Sequence, residues 1–196
     1  MAEERVERFT VWSSRILGGL GLALVIVVVA LGIPGVGDTY PPVTYAGCVL
    51  VGVALWVALI RPEVAVVGDR LVLKNSLSTE RVPLAAIEQV VVRHWLTVSA
   101  GDRRFTSAAV GRSSRQSLRD DRKGDVKGLE IANLSYGAIV ERKIDKLAED
   151  ARMRQGIERY SDEQQTLADD VRREWARVEI ALLGVSSLAV AVTAFL

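Results

Sequence analysis

The chain of 196 residues carries 25 Lys and Arg against 24 Asp and Glu, and this near balance (net charge +1) excludes the strongly basic character of a general nucleic-acid binder. Its single cysteine, Cys48, excludes an internal disulfide and thiol-only metal sites, and its single histidine, His94, excludes a His-pair metal centre within one copy. The apolar fraction of 49% averages three continuous apolar stretches with a highly charged middle.

The N-terminal flank, residues 1–15, holds Arg5, Arg8 and Arg15 and leads into the first apolar stretch, 16–33. A helix of this length rises about 1.5 Å per residue and reaches roughly 27 Å, close to the hydrocarbon thickness of a bilayer. The stretch is longer than a signal-peptide core and runs into Ile33-Pro34 rather than a small-residue cleavage site, so it reads as a retained span. The loop PGVGDTYPP follows, and its prolines and glycines must end the helix and turn the chain back into a second apolar stretch, 43–60. Residues 16–60 are therefore expected to form a transmembrane helical hairpin, and 178–196 a third span.

No Lys or Arg lies within the three stretches or in the loop between the first two. Arg61 closes the second span, and Arg172, Arg173 and Arg177 precede the third. Cationic residues near span ends stay on the cytoplasmic side. Trp12, Trp56 and Trp175 fall near those ends, and Tyr40 and Tyr45 near the others, as interfacial aromatics do. The expected arrangement is a multi-pass protein of the plasma (inner) membrane, with the N-terminus and residues 61–177 cytoplasmic and the C-terminus outside. Glu179 is the one ionisable residue inside a span; it lies in the first turn and is expected to snorkel to the interface. Ser14/Gly18 and Gly19/Ala23 have a spacing that lets helices pack closely.

From Glu63 the pattern changes to short strand-like runs. Residues 64–67 and 70–74 flank Gly68-Asp69, and 95–99 and 103–109 flank Gly101-Asp102. Glycine first in a two-residue loop suits a type II′ hairpin turn, because it accepts the positive φ. Residues 79–83, 87–93 and 129–131 supply the remaining strands, seven in all. Tyr136, Val140, Ile144, Leu147 and Ala151 then share one face of a helix, opposite Glu141, Arg142, Asp145, Lys146, Glu149 and Arg152, and Gly156 is expected to end it. Ser161-Asp162-Glu163-Gln164 reads as a capping box. Leu167, Val171, Trp175 and Val178 carry its apolar stripe onward, so residues 161–196 are expected to form one near-continuous helix into the third span.

The segment RPEVAVVGDRLVLKNSLSTERVPLAAIEQVVV resembles the bacterial PH-like (pleckstrin-homology-like) domain of actinobacterial membrane proteins, the low-molecular-weight protein antigen 6 type. The matching pattern is a hydrophobic strand, Gly68-Asp69, a strand ending in Asn75, and Arg81-Val82-Pro83 before an apolar strand, covering residues 61 to about 110. The resemblance implies a seven-stranded barrel or sandwich closed by a C-terminal helix, here residues 62–155. The expected fold class is a membrane protein with three transmembrane helices plus a cytoplasmic α+β PH-like domain.

Residues 111–128, GRSSRQSLRDDRKGDVKG, set Arg112, Arg115, Arg119, Arg122, Lys123 and Lys127 against three aspartates, with too little apolar surface to order themselves; a mobile loop is expected. Each Lys or Arg near an anionic leaflet contributes about 1 kcal/mol, so the loop could face lipid headgroups, or it could be a solvated insertion whose aspartates dilute the field. Arg103 and Arg104 follow the second Gly-Asp turn. These two, with Arg112, Arg115, Arg119, Arg122 and Lys123, form the candidate lipid- or partner-binding set.

Nothing suggests an enzyme. A single His94 beside Trp95 reads as a partly exposed packing residue, Ser113-Ser114 lacks the context of a nucleophile elbow, and Gly18, Gly19 and Gly21 belong to a span rather than a phosphate loop. No cofactor, metal or catalytic residue is expected. The expected function is a membrane-anchored, non-enzymatic interaction module that binds a protein partner. The alternatives are an anionic-lipid sensor or organiser of envelope assembly, and an accessory subunit of a larger membrane complex.

Overall fold

A computed structural model describes residues 6–9, 12–33, 37, 39–110 and 136–195. In chain order its elements are β1 (Val6–Phe9), α1 (Trp12–Leu31), α2 (Pro42–Leu55) with a π-helical turn (Trp56–Ile60), β2 (Glu63–Val67), β3 (Arg70–Lys74), β4 (Ser78–Pro83), a 3-10 turn (Leu84–Ala86), β5 (Gln89–Val92), β6 (Leu96–Ala100), β7 (Arg103–Ser107), α3 (Tyr136–Gln155), α4 (Asp162–Asp169), β8 (Arg172–Trp175) and α5 (Arg177–Ala194). They group into two compact units, one α+β and one helical.

The helical unit holds α1, α2 with its π-helical turn, and α5, joined by the β3–β4 turn Ser76–Ser78. Ser14–Leu31, Pro42–Ile60 and Arg177–Ala194 are each long and apolar enough to cross a membrane. Pro42 opens α2 at the position where a missing amide hydrogen does no harm. α2 packs on both α1 and α5. Close approach depends on glycine: a Cβ at Gly18 would stand 2.8 Å from Ile60 Cγ1, and one at Gly21 2.8 Å from Leu55 Cδ1. Gly18 thus packs as its spacing suggested, whereas the space beside Gly19 is open.

The α+β unit contains two sheets, one in the order β1-β2-β3-β4-β8 and one of β5-β6-β7. The β1–β2, β2–β3 and β3–β4 pairs are antiparallel, as are β5–β6 and β6–β7. Gly68 and Gly101 adopt φ of 58° and 54° at the two hairpin turns, the left-handed geometry their positions demand. Alternation along the strands buries Val64, Val66, Leu71, Leu73, Val82, Val92, Leu96, Val98 and Phe105, and α3 adds Val140, Ile144, Ala148 and Ala151 to the same core. α3 ends in a Schellman motif: Ile157 N–H donates to Arg152 O (3.0 Å) and Gly156 N–H to Met153 O (3.3 Å), with Gly156 at φ 68°.

Four expectations need correction. The N-terminal flank is not merely a flank, because Val6–Phe9 forms β1, with Val6 opposite Val67 and Phe9 opposite Val64. The domain boundary 62–155 is too narrow, since the α+β unit also takes in Val6–Phe9 and runs on to Glu174. Residues 161–196 are not one near-continuous helix: α4 stops at Asp169, and β8 joins the sheet beside β4 before α5 begins. The ion pairs Arg70–Asp170, Arg81–Glu174 (3.4 Å) and Arg173–Glu80 (3.6 Å) hold that segment along the sheet, where an amphipathic helix would forfeit them. On α3, Arg152 is buried rather than on the charged outer face, and Tyr136 is exposed. The strand expected at 129–131 and the basic segment 111–128 lie outside the described residues.

Candidate functional site

The link from the 3-10 turn to β5 is held by side chains from α3 and α4. Gln164 is completely buried, and its Nε2 donates to Ala85 O (3.0 Å) and Ile87 O (3.2 Å), while Oε1 accepts from Tyr160 N–H (2.6 Å). Arg152 Nη1 also donates to Ile87 O (2.5 Å), and Arg159 Nη2 to Glu88 O (2.6 Å). Buried carbonyls away from strand partners would be costly unpaired, and Gln164 and Arg152 satisfy those of Ala85 and Ile87, while the Arg159 bond to Glu88 O lies at the surface. The expected capping box is present in altered form. Ser161 Oγ accepts from Gln164 N–H (3.2 Å), but the Gln164 side chain reaches Tyr160 rather than Ser161.

This clamp sets one wall of an open recess of about 330 Å³, lined by Glu88, Gln89, Ser99, Gly101, Asp102, Arg104 and Tyr160. Gln89 stands opposite Ser99 on β5–β6, and Ser99 opposite Arg104 on β6–β7, so the three form one row across the outer face of the sheet. Glu88 Oε1 accepts from Gly101 N–H (3.0 Å), which ties the β6–β7 turn to the base of the recess. Gly101 needs its missing side chain, because a Cβ would meet Ala168 Cβ at 3.1 Å. Tyr160 takes φ 65°, unusual for an aromatic residue, and the Gln164 bond holds it there. Arg159 lies over the Tyr160 ring, 5.3 Å from its centre.

Of the residues singled out from sequence, Arg103 and Arg104 are described, and the strand separates them. Successive side chains on β7 point to opposite faces, so Arg104 lines the recess while Arg103 turns away and lies 5.2 Å over the Phe105 ring. The two do not form a joint anion site. Arg112, Arg115, Arg119, Arg122 and Lys123 lie outside the described residues. Sequence reasoning missed Glu88, Gln89, Ser99, Asp102 and Tyr160, because each is an ordinary polar residue until β-pairing and the Gln164 clamp bring them together. The Gly101-Asp102 turn was the one signal that could have pointed there.

The recess offers carboxylates, one guanidinium, hydroxyls and an amide, groups suited to hydrogen-bonding a peptide or another polar chain. Among the described residues, no group of His, Cys, Asp and Glu side chains is placed to hold a metal. Asn75, immediately after β3, donates through Nδ2 to Thr106 O (2.8 Å) and so fastens the end of β3 to β7. Away from the recess, the Arg70 hydrogen bond and charge hold the Asp170 carboxyl below the usual carboxylate range. No family model, no curated protein and no solved structure matches this chain.

Proposed function

We propose that this chain is a membrane-anchored, non-enzymatic interaction module. Its α+β unit is a PH-like domain held at the cytoplasmic face, and it engages a protein partner through the recess beside β5, β6 and β7. The observation that carries this reading is the recess itself, a polar lining in which Tyr160 is held by the buried Gln164 clamp and Glu88 by the Gly101 N–H. Preorganisation of this kind lowers the ordering cost of binding. The PH-like assignment rests on the sequence pattern of residues 61 to about 110, and the cytoplasmic placement on the arginines that flank the spans. The test is photo-crosslinking in cells from a benzoyl-phenylalanine at Ser99 of the full chain. A discrete adduct that disappears with Arg104→Glu is expected; no adduct, or one indifferent to Arg104, would refute the recess as the contact.

A second reading is favoured by the charge of residues 111–128, six Lys and Arg against three Asp: contact with anionic lipid headgroups. It requires hydrogen-exchange protection of that segment in anionic but not zwitterionic nanodiscs. Protection should weaken as salt shortens the screening length, and should be lost when Arg112, Arg115, Arg119 and Arg122 become Gln.

A further inference from the structure

The β3–β4 turn, Ser76-Leu77-Ser78, groups with the helical unit rather than with the strands it connects. The reason is a backbone bond: Ala176 N–H, at the N-cap of α5, donates to Leu77 O at 2.9 Å. Leu77 is therefore fixed at the level where α5 begins. The same level is marked by Arg61, the C-cap of the π-helical turn that follows α2, whose Nε lies 2.5 Å from Glu179 Oε1 in the first turn of α5. Trp175 immediately precedes this N-cap. Leu77 leaves 41% of its surface uncovered and Trp175 59%. A leucine flanked by two serines at a hairpin tip gains nothing from water, and burying it would be favourable.

We propose that the β3–β4 turn is a membrane-interface anchor. In it, Leu77 and Trp175 enter the boundary between phospholipid headgroups and acyl chains on the side where α5 starts. The partner is the bilayer already spanned by the helices, so the inference rests on the membrane-spanning reading of that unit and adds a contact that no span supplies. Continuity argues for it. The exposed apolar surface at Leu77 is joined by one hydrogen bond to a helix whose own exposed surface, at Val178, Ile180, Leu182 and Val185, is apolar. Aromatic and aliphatic side chains at that depth are favoured by the interface, with the ring of Trp175 suited to the headgroup level.

The test uses the full chain in nanodiscs, in a Cys48→Ser background, with a bimane label at one introduced cysteine. Leu77→Cys is compared with Val185→Cys on α5 and with Met153→Cys, an exposed position on α3. Each is read by quenching with brominated phosphatidylcholine and with aqueous iodide. The expected result is a blue-shifted label at position 77, quenched at least twofold more by brominated lipid than the label at 153, and less by iodide. If 185 is quenched by lipid while 77 behaves like 153, the anchor is wrong and the spans stand. If 77 is shielded from both quenchers, it contacts protein and the proposal also fails. If 185 itself is not quenched by lipid, the membrane reading falls and takes the anchor with it.

Discussion

The helical unit and the α+β unit are built with opposite insides. In the α+β unit Leu71, Leu73, Val82, Ile87, Leu96 and Ile144 are buried. In α1 the large residues Ile16, Leu17, Leu20, Leu24 and Ile26 are exposed, and Gly18 is buried against the π-helical turn. Water drives the first arrangement, because apolar area removed from it contributes about 25 cal/mol per Å². Lipid tails remove that drive, and helices then associate by close backbone approach over small residues. The polar groups invert as well. The α+β unit buries Gln164 and Arg152, whose side chains bond backbone carbonyls, whereas the helical unit places its ion pair, Arg61–Glu179, at the ends of two helices.

The contrast is broken or upheld most sharply by a matched pair of truncations. Ile144→Ala should destabilise the α+β unit by about 2–5 kcal/mol, since the side chain is fully buried. Ile26→Ala, at an exposed position of an apolar helix, should change the stability of the helical unit by less than about 0.5 kcal/mol. Pulse proteolysis in urea reads the first, and unfolding in mixed micelles the second. Equal effects would mean that Ile26 is packed against protein rather than facing lipid.

Gln164→Leu comes next. It keeps the volume but leaves Ala85 O and Ile87 O without the Gln164 amide and Tyr160 N–H without its acceptor, for about 3 kcal/mol if the site does not admit water. Because the clamp also holds Tyr160, the same variant should weaken crosslinking from Ser99. Retained crosslinking alongside lost stability would separate the clamp from the recess.

A smaller effect is expected at the helix ends. Glu179→Gln should cost the helical unit about 1–2 kcal/mol, less than a deeply buried pair, because both partners keep some exposure, and the double exchange Arg61→Glu with Glu179→Arg should recover part of it. A double-mutant cycle in nanodiscs measures the coupling.

These expectations bear on what was legible in the sequence. The three apolar helices were legible because long uncharged runs bounded by prolines and arginines leave little room for another element. The hairpins at Gly68 and Gly101 were legible because a positive φ has few occupants, and Gly156 marked the end of α3 for the same reason. β8 was not, since Leu167, Val171, Trp175 and Val178 keep a helical spacing that pairing beside β4 overrides. β1 was hidden because four residues beside a membrane helix carry too little pattern, and their strand identity is set by β2. The recess was hidden for a related reason: Glu88, Ser99, Arg104 and Tyr160 become neighbours only through long-range pairing and the Gln164 amide.

The smallest effect lies at the β8 corner. Asp170 is held below its ordinary range by Arg70, so its folded form binds a proton less readily than the unfolded chain does. Its stabilising contribution is fully present above the ordinary aspartate value, about 3.9, and is lost as pH falls through the lower folded value. Asp170→Asn should therefore flatten the acid limb of the stability profile and leave the slope near neutral pH unchanged. A steeper acid limb in the variant would contradict the pairing.

In the proposed arrangement three spans hold the α+β unit in the cytoplasm. The most direct test of that arrangement is cysteine accessibility in intact cells, again with Cys48→Ser. Thr39→Cys lies in the loop between the first two spans and Met153→Cys on α3. A membrane-impermeant maleimide should label position 39 in intact cells and position 153 only after lysis. Labelling of 153 in intact cells, with 39 protected until lysis, would invert the arrangement and contradict the account.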